Sequence, residues 1–467
     1  MSAYRPTIGL EIHAELKTRT KMFCSSQNDP DEENPNVNVC PVCMAYPGTL
    51  PVVNKEAVHS VLRVGAAVGG TIADYTEFDR KNYFYPDIPK GYQISQYEYP
   101  LVKGGELAGV KITRIHLEED TANAKHRGEV SLIDFNRAGL PLMELVTEPV
   151  IHDATTAGNF ARELQQLLRA LGVGEAQMEK GQMRVEVNIS VSKDEKLGTK
   201  SEIKNINSFR AAERAIEYEI KRQTAVLESG GVLVQETRGF DETTGETFSQ
   251  RIKENSNDYR YFPDPDIPKL KISSIPEFAL DALKASLPEL PSERRARLMG
   301  LGVRREDADV LIADHLYGTF FDVEVAGQLD GTLVGKGSNY LLTDVRAVAT
   351  ESMLDNLRNG VFADVIRMTD AGDLSSRGAK DLLLHLMERG GVARTVATEE
   401  GMLQMKDNAL VERIVDEVMA EHANVVADVQ KGKEEALKFL IGMVMKKSKG
   451  AANPTDAAAI LKARIHT

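Results

Sequence analysis

Glu11, His13 and Glu15 occupy every second position of the segment Ile8-Gly9-Leu10-Glu11-Ile12-His13-Ala14-Glu15-Leu16. Side chains alternate between the faces of a strand, so these three share one face and Leu10, Ile12 and Ala14 the other. Carboxylates beside an imidazole suit a hard cation or a metal-bound phosphate. The same alternation also describes the wet face of an ordinary antiparallel strand. Three more segments offer comparable faces. Arg114, His116 and Glu118 alternate with Ile115 and Leu117, and Arg184, Glu186, Asn188 and Ser190 alternate with four β-branched residues; Lys200, Glu202 and Lys204 align in the third. Carboxylates for Mg²⁺ and cations for phosphate oxygens fit a metal–nucleotide complex. There is no Gly-x-x-x-x-Gly-Lys-Ser/Thr loop, so a P-loop is not the route to ATP.

These faces must be held by a large domain. Period-2 patterns predict strands over 109–117, 129–135, 183–191 and 201–206, and period-3.6 patterns predict helices over 54–69, 154–171 and 209–228. A Pro-punctuated stretch, Leu287 to Arg294, offers Ser292 as a helix cap. Beyond it the chain reads as helical, and in 434–445 the residues Leu437, Leu440, Ile441, Val444 and Met445 make one apolar stripe. The expected organisation is α+β: a mixed domain over 1–290 with an extensive antiparallel sheet, a helical domain over 291–404 and an all-α tail over 405–467.

Composition sets the bounds. The 467 residues are 42% hydrophobic and 27% charged, as in soluble globular proteins. No apolar run reaches membrane-spanning length and the N-terminus has no signal-peptide pattern, so no membrane association is expected. Three cysteines do not make a disulfide framework, and the expected setting is the cytoplasm. A net charge of −13 excludes a uniformly basic nucleic-acid binder, so any such contact must use a local patch.

One motif occurs twice. Tyr83-Phe84-Tyr85-Pro86-Asp87-Ile88-Pro89-Lys90 echoes Tyr259-Arg260-Tyr261-Phe262-Pro263-Asp264-Pro265-Asp266-Ile267-Pro268-Lys269. Proline stiffens both, and neither shows helical or strand periodicity. They read as ordered loops of a kind that can wall a substrate site.

Several blocks resemble a known family. Gly9 to Lys17, Phe78 to Asp87, His116 to Asp120, Glu202 to Phe209, Asp258 to Pro263, Phe439 to Gly442 and Lys449 to Pro454 are together similar to the B subunit of the bacterial aspartyl/glutamyl-tRNA amidotransferase, in order along the whole chain. The resemblance implies an ATP- and Mg²⁺-dependent phosphorylation of the side-chain carboxylate of glutamate or aspartate misacylated onto tRNA. Amidation follows, with ammonia from the amidase (A) subunit, while a small (C) subunit braces the heterotrimer. It implies a cradle domain with a glutamine synthetase-like antiparallel sheet. A non-discriminating aminoacyl-tRNA synthetase is a further candidate partner, in a transamidosome.

Carried over residue by residue, the resemblance places Glu11, His13, Glu118, Glu119 and Glu202 at the metal and Lys204 with them in catalysis. Alternation puts Glu118, not Glu119, on the polar face, so the two stand together with one of them expected to support the other. Lys81, Arg184 and Asn188 are candidates for the nucleotide, although Lys81 also reads as a solvated loop charge. Glu15, farther along the strand, reads as solvated. Many members carry a zinc site written Cys-x-Cys and Cys-x-x-Cys. Here Cys24, Cys40 and Cys43 remain and Ser26 stands at the fourth position, so a closed four-ligand site needs water, a carboxylate or His59.

The tail carries the local basic patch. From 431 to 467 there are eight Lys or Arg against three Asp or Glu, and Lys438, Lys446, Lys447 and Lys449 are the candidate tRNA contacts. A solvated helix face is the alternative. Two other functions remain open at this level: a glutamine synthetase-like ligase acting on a free amino acid, and a non-catalytic tRNA-binding scaffold. No pattern supplies a glutaminase nucleophile with its base.

Overall fold

The computed structural model describes residues 4–252, 259–404, 408–430, 433–448 and 452–465. Of the residues singled out above, Asp258 and Lys449 lie outside that set. The chain divides into two compact units between Pro291 and Ser292.

In chain order, the strands that build the site in the first unit are β1 (Arg5–Glu15), β2 (Asp79–Asn82), β3 (Tyr92–Ser95), β4 (Val110–Glu119), β5 (Pro141–Thr147), β6 (Met183–Ser192), β7 (Ser201–Lys204), β8 (Glu236–Asp241), β9 (Glu246–Ile252) and β10 (Phe262–Pro263). The large sheet runs β9-β8-β7-β6-β1-β5-β4 and continues through short strands at Val102–Lys103 and Thr71–Ile72. Its pairs are antiparallel except β7 with β8, which are parallel. The expected antiparallel sheet is therefore mixed. The chain leaves β7, passes through a 20-residue helix and returns as β8, and a crossover of that length is what a parallel pair requires.

Helices α1 (Lys55–Ala67), α2 (Ala154–Ala170) and α3 (Phe209–Glu228) cover one face of this sheet. Each begins at a side-chain cap: Asn54, Asp153 and Ser208 accept hydrogen bonds from backbone N–H groups of the first turn. Asn205, at φ 58°, turns the chain out of β7 toward α3. The apolar set of β1 (Leu10, Ile12 and Ala14) packs with Met143, Leu145, Val185 and Val187 against Phe160, Leu164 and Ile216 of the helices. That burial fixes the register, because a one-residue slip would exchange the faces. The polar set of every strand is thereby committed to the opposite side.

The two echoed segments meet there. β10 pairs antiparallel with β2, Phe262 opposite Arg80 and Pro263 opposite Asp79, and β3 completes a three-stranded sheet. The loop reading holds for 83–90, where no strand forms; in the second segment it is corrected at Phe262–Pro263, a two-residue strand too short to show alternation.

The second unit is helical throughout its described residues, with two apolar clusters. One is built from residues between Leu298 and Ala397, the other from residues between Val411 and Ile465. Its first helix, Pro291–Gly300, starts at the proline, so Ser292 lies inside the first turn. In helix Glu434–Lys447, Leu440 and Val444 are buried, and Leu437, Ile441 and Met445 pack around them.

Candidate active site on the polar face of the sheet

Register brings the polar sets of five adjacent strands together. His13 stands opposite Glu144 on one side and Arg184 on the other; Glu144 is opposite His116, Leu142 opposite Glu118, and Glu11 opposite Glu186. Asn188 pairs with Glu202. His13 Nε2 lies 3.4 Å from Glu144 Oε2, 3.6 Å from Glu118 Oε1 and 3.9 Å from Glu11 Oε1. His116 Nε2 is 3.5 Å from the same Glu144 oxygen. These separations exceed ordinary hydrogen-bond lengths, so the groups are gathered without being locked to one another. Three overlapping triads each have donor atoms within 4.8 Å of one another: Glu11, His13, Glu144; His116, Glu118, Glu144; and Glu11, Glu186, Glu202.

The field of this cluster shifts its members. Burial, with Glu144 and Glu186 nearby, raises the Glu11 pKa to about 7. Burial works against charge on His13, but contact with Glu144 and the fields of Glu118 and Glu186 outweigh it and raise its pKa to about 9. Burial opposes the ionisation of Glu144 too, yet His116, His13 and Lys81 hold it below the usual carboxylate range. His116, fully enclosed, is pushed down by burial against the pull of Glu144 and Glu118. Lys204 donates to Glu186 at 2.6 Å and lies 3.3 Å from Glu202, and these carboxylates raise its pKa despite its burial.

The donor set fits a hard divalent cation. Carboxylates predominate, the Nε2 atoms of His13 and His116 both face the same Glu144 oxygen, and a proton on His13 supplies charge that an ion would replace.

Other candidates fall elsewhere. Glu119 is on the opposite face of β4, where it accepts from Lys90 Nζ at 2.6 Å and from the backbone N–H of Ile94 at 2.9 Å. The paired Glu118–Glu119 expectation thus resolves to Glu118. Arg184 is committed to Asp120 at 3.2 Å, and the Asn188 side-chain oxygen is buried without a partner among the described residues. Lys81 is no solvated loop charge. It sits on β2 with its ammonium 5.1 Å from the Tyr259 ring centre, and Glu118, Tyr261 and Glu144 raise its pKa against the pull of burial.

Glu15 is likewise not solvated. It is 8% exposed and meets Arg137 at 2.8 Å, while Arg137 also donates to Asp120 at 2.7 Å. Arg184 and Arg137 hold Asp120 down to about 2 against its burial. Burial, with Asp120 nearby, lifts Glu15 to about 7 even though Arg137 pulls it down. Asp120 therefore holds its charge more firmly than Glu15 does. Sequence reasoning missed Glu144, whose one signal is a carboxylate inside the apolar run Leu140 to Val146, and the pairing of Arg137 with Glu15 and Asp120.

The three thiols lie apart from this cluster and within 4.8 Å of one another. Cys40 and Cys43 sulfurs are 3.8 Å apart, and Ser26 Oγ is 3.8 Å from Cys43. Zn–S bonds of about 2.3 Å give a tetrahedral edge of about 3.8 Å. The set fits zinc held by three sulfurs with Ser26 at the fourth corner. His59 is not part of it; its ring stacks on Phe278. In the tail, Lys438 and Lys446 are exposed, whereas Lys447 is held by Glu417 at 3.0 Å and Glu421 at 2.6 Å. The expectation of four free tail cations is corrected for Lys447, whose charge is neutralised by the neighbouring helix.

Residues 6–275 match the family described as the GatB/GatE catalytic domain, and residues 336–465 match the GatB domain. The chain is 41% identical to the B subunit of the aspartyl/glutamyl-tRNA(Asn/Gln) amidotransferase of Persephonella marina, over 98% of this chain and 99% of that protein. It is 41% identical to the corresponding B subunit of Moorella thermoacetica (99% and 100% covered) and 42% to that of Thermus thermophilus (97% and 97%). With one match spanning more than half of its length and relatives aligned end to end, this chain belongs to the family of amidotransferase B subunits, components of enzymes that carry out tRNA-dependent amidation.

Proposed function

We propose that this chain activates the side-chain carboxylate of glutamate or aspartate esterified to tRNA(Gln) or tRNA(Asn), using ATP, and amidates it with ammonia from a glutaminase partner. The observation that carries this reading is the gathering of Glu11, His13, Glu118, Glu144, Glu186 and Glu202 on one wall with Lys204, and with Lys81 close enough to respond to Glu118 and Glu144. A carboxylate is a poor acceptor for ammonia until one oxygen becomes part of a phosphate leaving group. Its oxygen attacks the γ-phosphorus and ADP departs; ammonia then attacks the acyl carbon and inorganic phosphate leaves. Such a transfer needs charge neutralisation and alignment more than a protein nucleophile. Glu11, His13, Glu118, Glu144, Glu186 and Glu202 would hold Mg²⁺, which when bound supplies that neutralisation. Lys81 and Lys204 would meet phosphate oxygens, and Arg184 with Asp120 would brace the wall.

In this reading the chain works in the cytoplasm with the amidase and the small bracing protein of the heterotrimer. The domains 291–404 and 405–467 carry the tRNA, and the tail meets its phosphates through Lys438 and Lys446. The test is release of ³²P-phosphate from [γ-³²P]ATP by the assembled complex. Dependence on Glu-tRNA or Asp-tRNA is expected. Release with free glutamate alone would point to a ligase for the free amino acid, and no release with either would leave a tRNA-binding scaffold.

A further inference from the structure

One buried cation takes no part in the carboxylate cluster. Lys21 has 0% exposure, which is exceptional for a lysine. Its ammonium donates to the Phe135 carbonyl at 3.1 Å and faces the Cys43 sulfur at 3.9 Å. It forms no ion pair with a carboxylate among the described residues. Glu119, also beside Gly139, is committed to Lys90 at 2.6 Å. The backbone fixes the lysine in place: Lys21 N–H donates to Ser26 O at 2.9 Å, and Met22 N–H donates to Gly139 O at 2.8 Å. An ammonium taken out of water without a counter-charge is heavily disfavoured, so its surroundings must supply one. The groups able to do so are the thiols: Cys43, with the Cys40 sulfur 3.8 Å from it and Cys24 in the same set.

The lysine and the thiol set complement each other in charge. Cysteine binds zinc as thiolate, so a divalent ion held by Cys24, Cys40 and Cys43 leaves one net negative charge. The Ser26 hydroxyl at the fourth corner adds none. One ammonium against the sulfurs makes the loaded site neutral, and a buried neutral set avoids the desolvation cost of a charged one. We infer that Lys21 is the built-in counter-charge of the three-thiol metal site, its ammonium cancelling the charge that zinc leaves on the sulfurs. Lys21 acts through the thiolates, as a charge-balancing residue behind the ligands. This centre is separate from the carboxylate cluster, and the role of Lys21 in it does not depend on the reaction proposed above.

The test separates zinc affinity from stability, using the full-length chain. Lys21→Met keeps most of the side chain and removes the charge. Zinc affinity, read by competition with a chelating dye, should fall about tenfold. The zinc-free variant, by contrast, should melt no lower than zinc-free wild type, because a buried charge without a firm partner has been taken away. With zinc bound, the thiolates of the variant lack their counter-charge and should react faster with iodoacetamide than those of wild type. Lys21→Gln still has a donor for the Phe135 carbonyl but no charge; it should lose zinc affinity to the same degree, and it provides the same reading should Lys21→Met fail to fold. Zinc affinity at the wild-type level in the variants overturns the role of Lys21. So does a zinc-free variant destabilised as much as the zinc-loaded one, which would make the lysine a structural residue only. A wild-type chain that takes up no zinc overturns it as well.

Discussion

Glu144 lies 3.4 Å from His13 and 3.5 Å from His116 through the same carboxylate oxygen, on the strand between theirs. Its charge favours the protonated form of both imidazoles: His13 is raised to about 9, whereas at His116 burial outweighs it and pushes the pKa down. Replacing Glu144 with Gln removes that charge while keeping the shape. ATP turnover by the complex should fall about a hundredfold, and the His13 pKa, followed by NMR, should move down from about 9. Affinity for tRNA should hold. Unchanged turnover would remove Glu144 from the site.

The Glu15–Arg137–Asp120 group gives a pH signature. Burial raises the Glu15 pKa from 4.5 to about 7, so the folded chain holds a proton that the unfolded chain releases. Its stabilising share is complete below about 4.5 and disappears as pH rises through 7. Glu15→Gln should therefore flatten the decline of the urea midpoint between about pH 5 and about pH 8, relative to wild type. A parallel decline in both proteins would mean that Glu15 ionises normally.

Zinc retention tests the fourth corner of the thiol site. With Ser26 Oγ 3.8 Å from the Cys43 sulfur, a thiolate in its place would close the tetrahedron. Ser26→Cys should retain zinc against a chelating dye at concentrations that strip the wild type, and its cobalt form should show a stronger sulfur-to-metal charge-transfer band. Equal retention would show that the serine corner contributes as much as a thiolate.

The tail lysines should separate by their partners. Lys438→Ala with Lys446→Ala should lower the magnitude of the salt slope of tRNA binding by about 1.5, from two lost phosphate contacts. Lys447→Ala, already paired to Glu417 and Glu421, should leave the slope alone and instead lower the thermal stability of the tail. A slope unmoved by the double variant would take this face out of the interface.

Alternation alone placed Glu11, His13, His116, Glu118, Glu186 and Glu202 on polar faces of strands, because a two-residue period is a local property of the backbone. It also separated Glu118 from Glu119. The helices over Lys55–Ala67, Ala154–Ala170 and Phe209–Glu228 were legible for the same reason, each having a cap and one apolar face. Glu144 was not legible: its strand lies between β1 and β4, with Leu142 and Val146 beside Glu144 on the site side and Met143 and Leu145 in the core, so the run reads as apolar throughout. Nor did local pattern show that Glu15 is buried, because Arg137 and Asp120 reach it from distant segments. The pairing of β2 with β10 joins residues about 180 positions apart. Local alternation sets which face a strand side chain takes. Which faces meet, and so which charges share one field, is set by long-range register, and only the tertiary structure decides it.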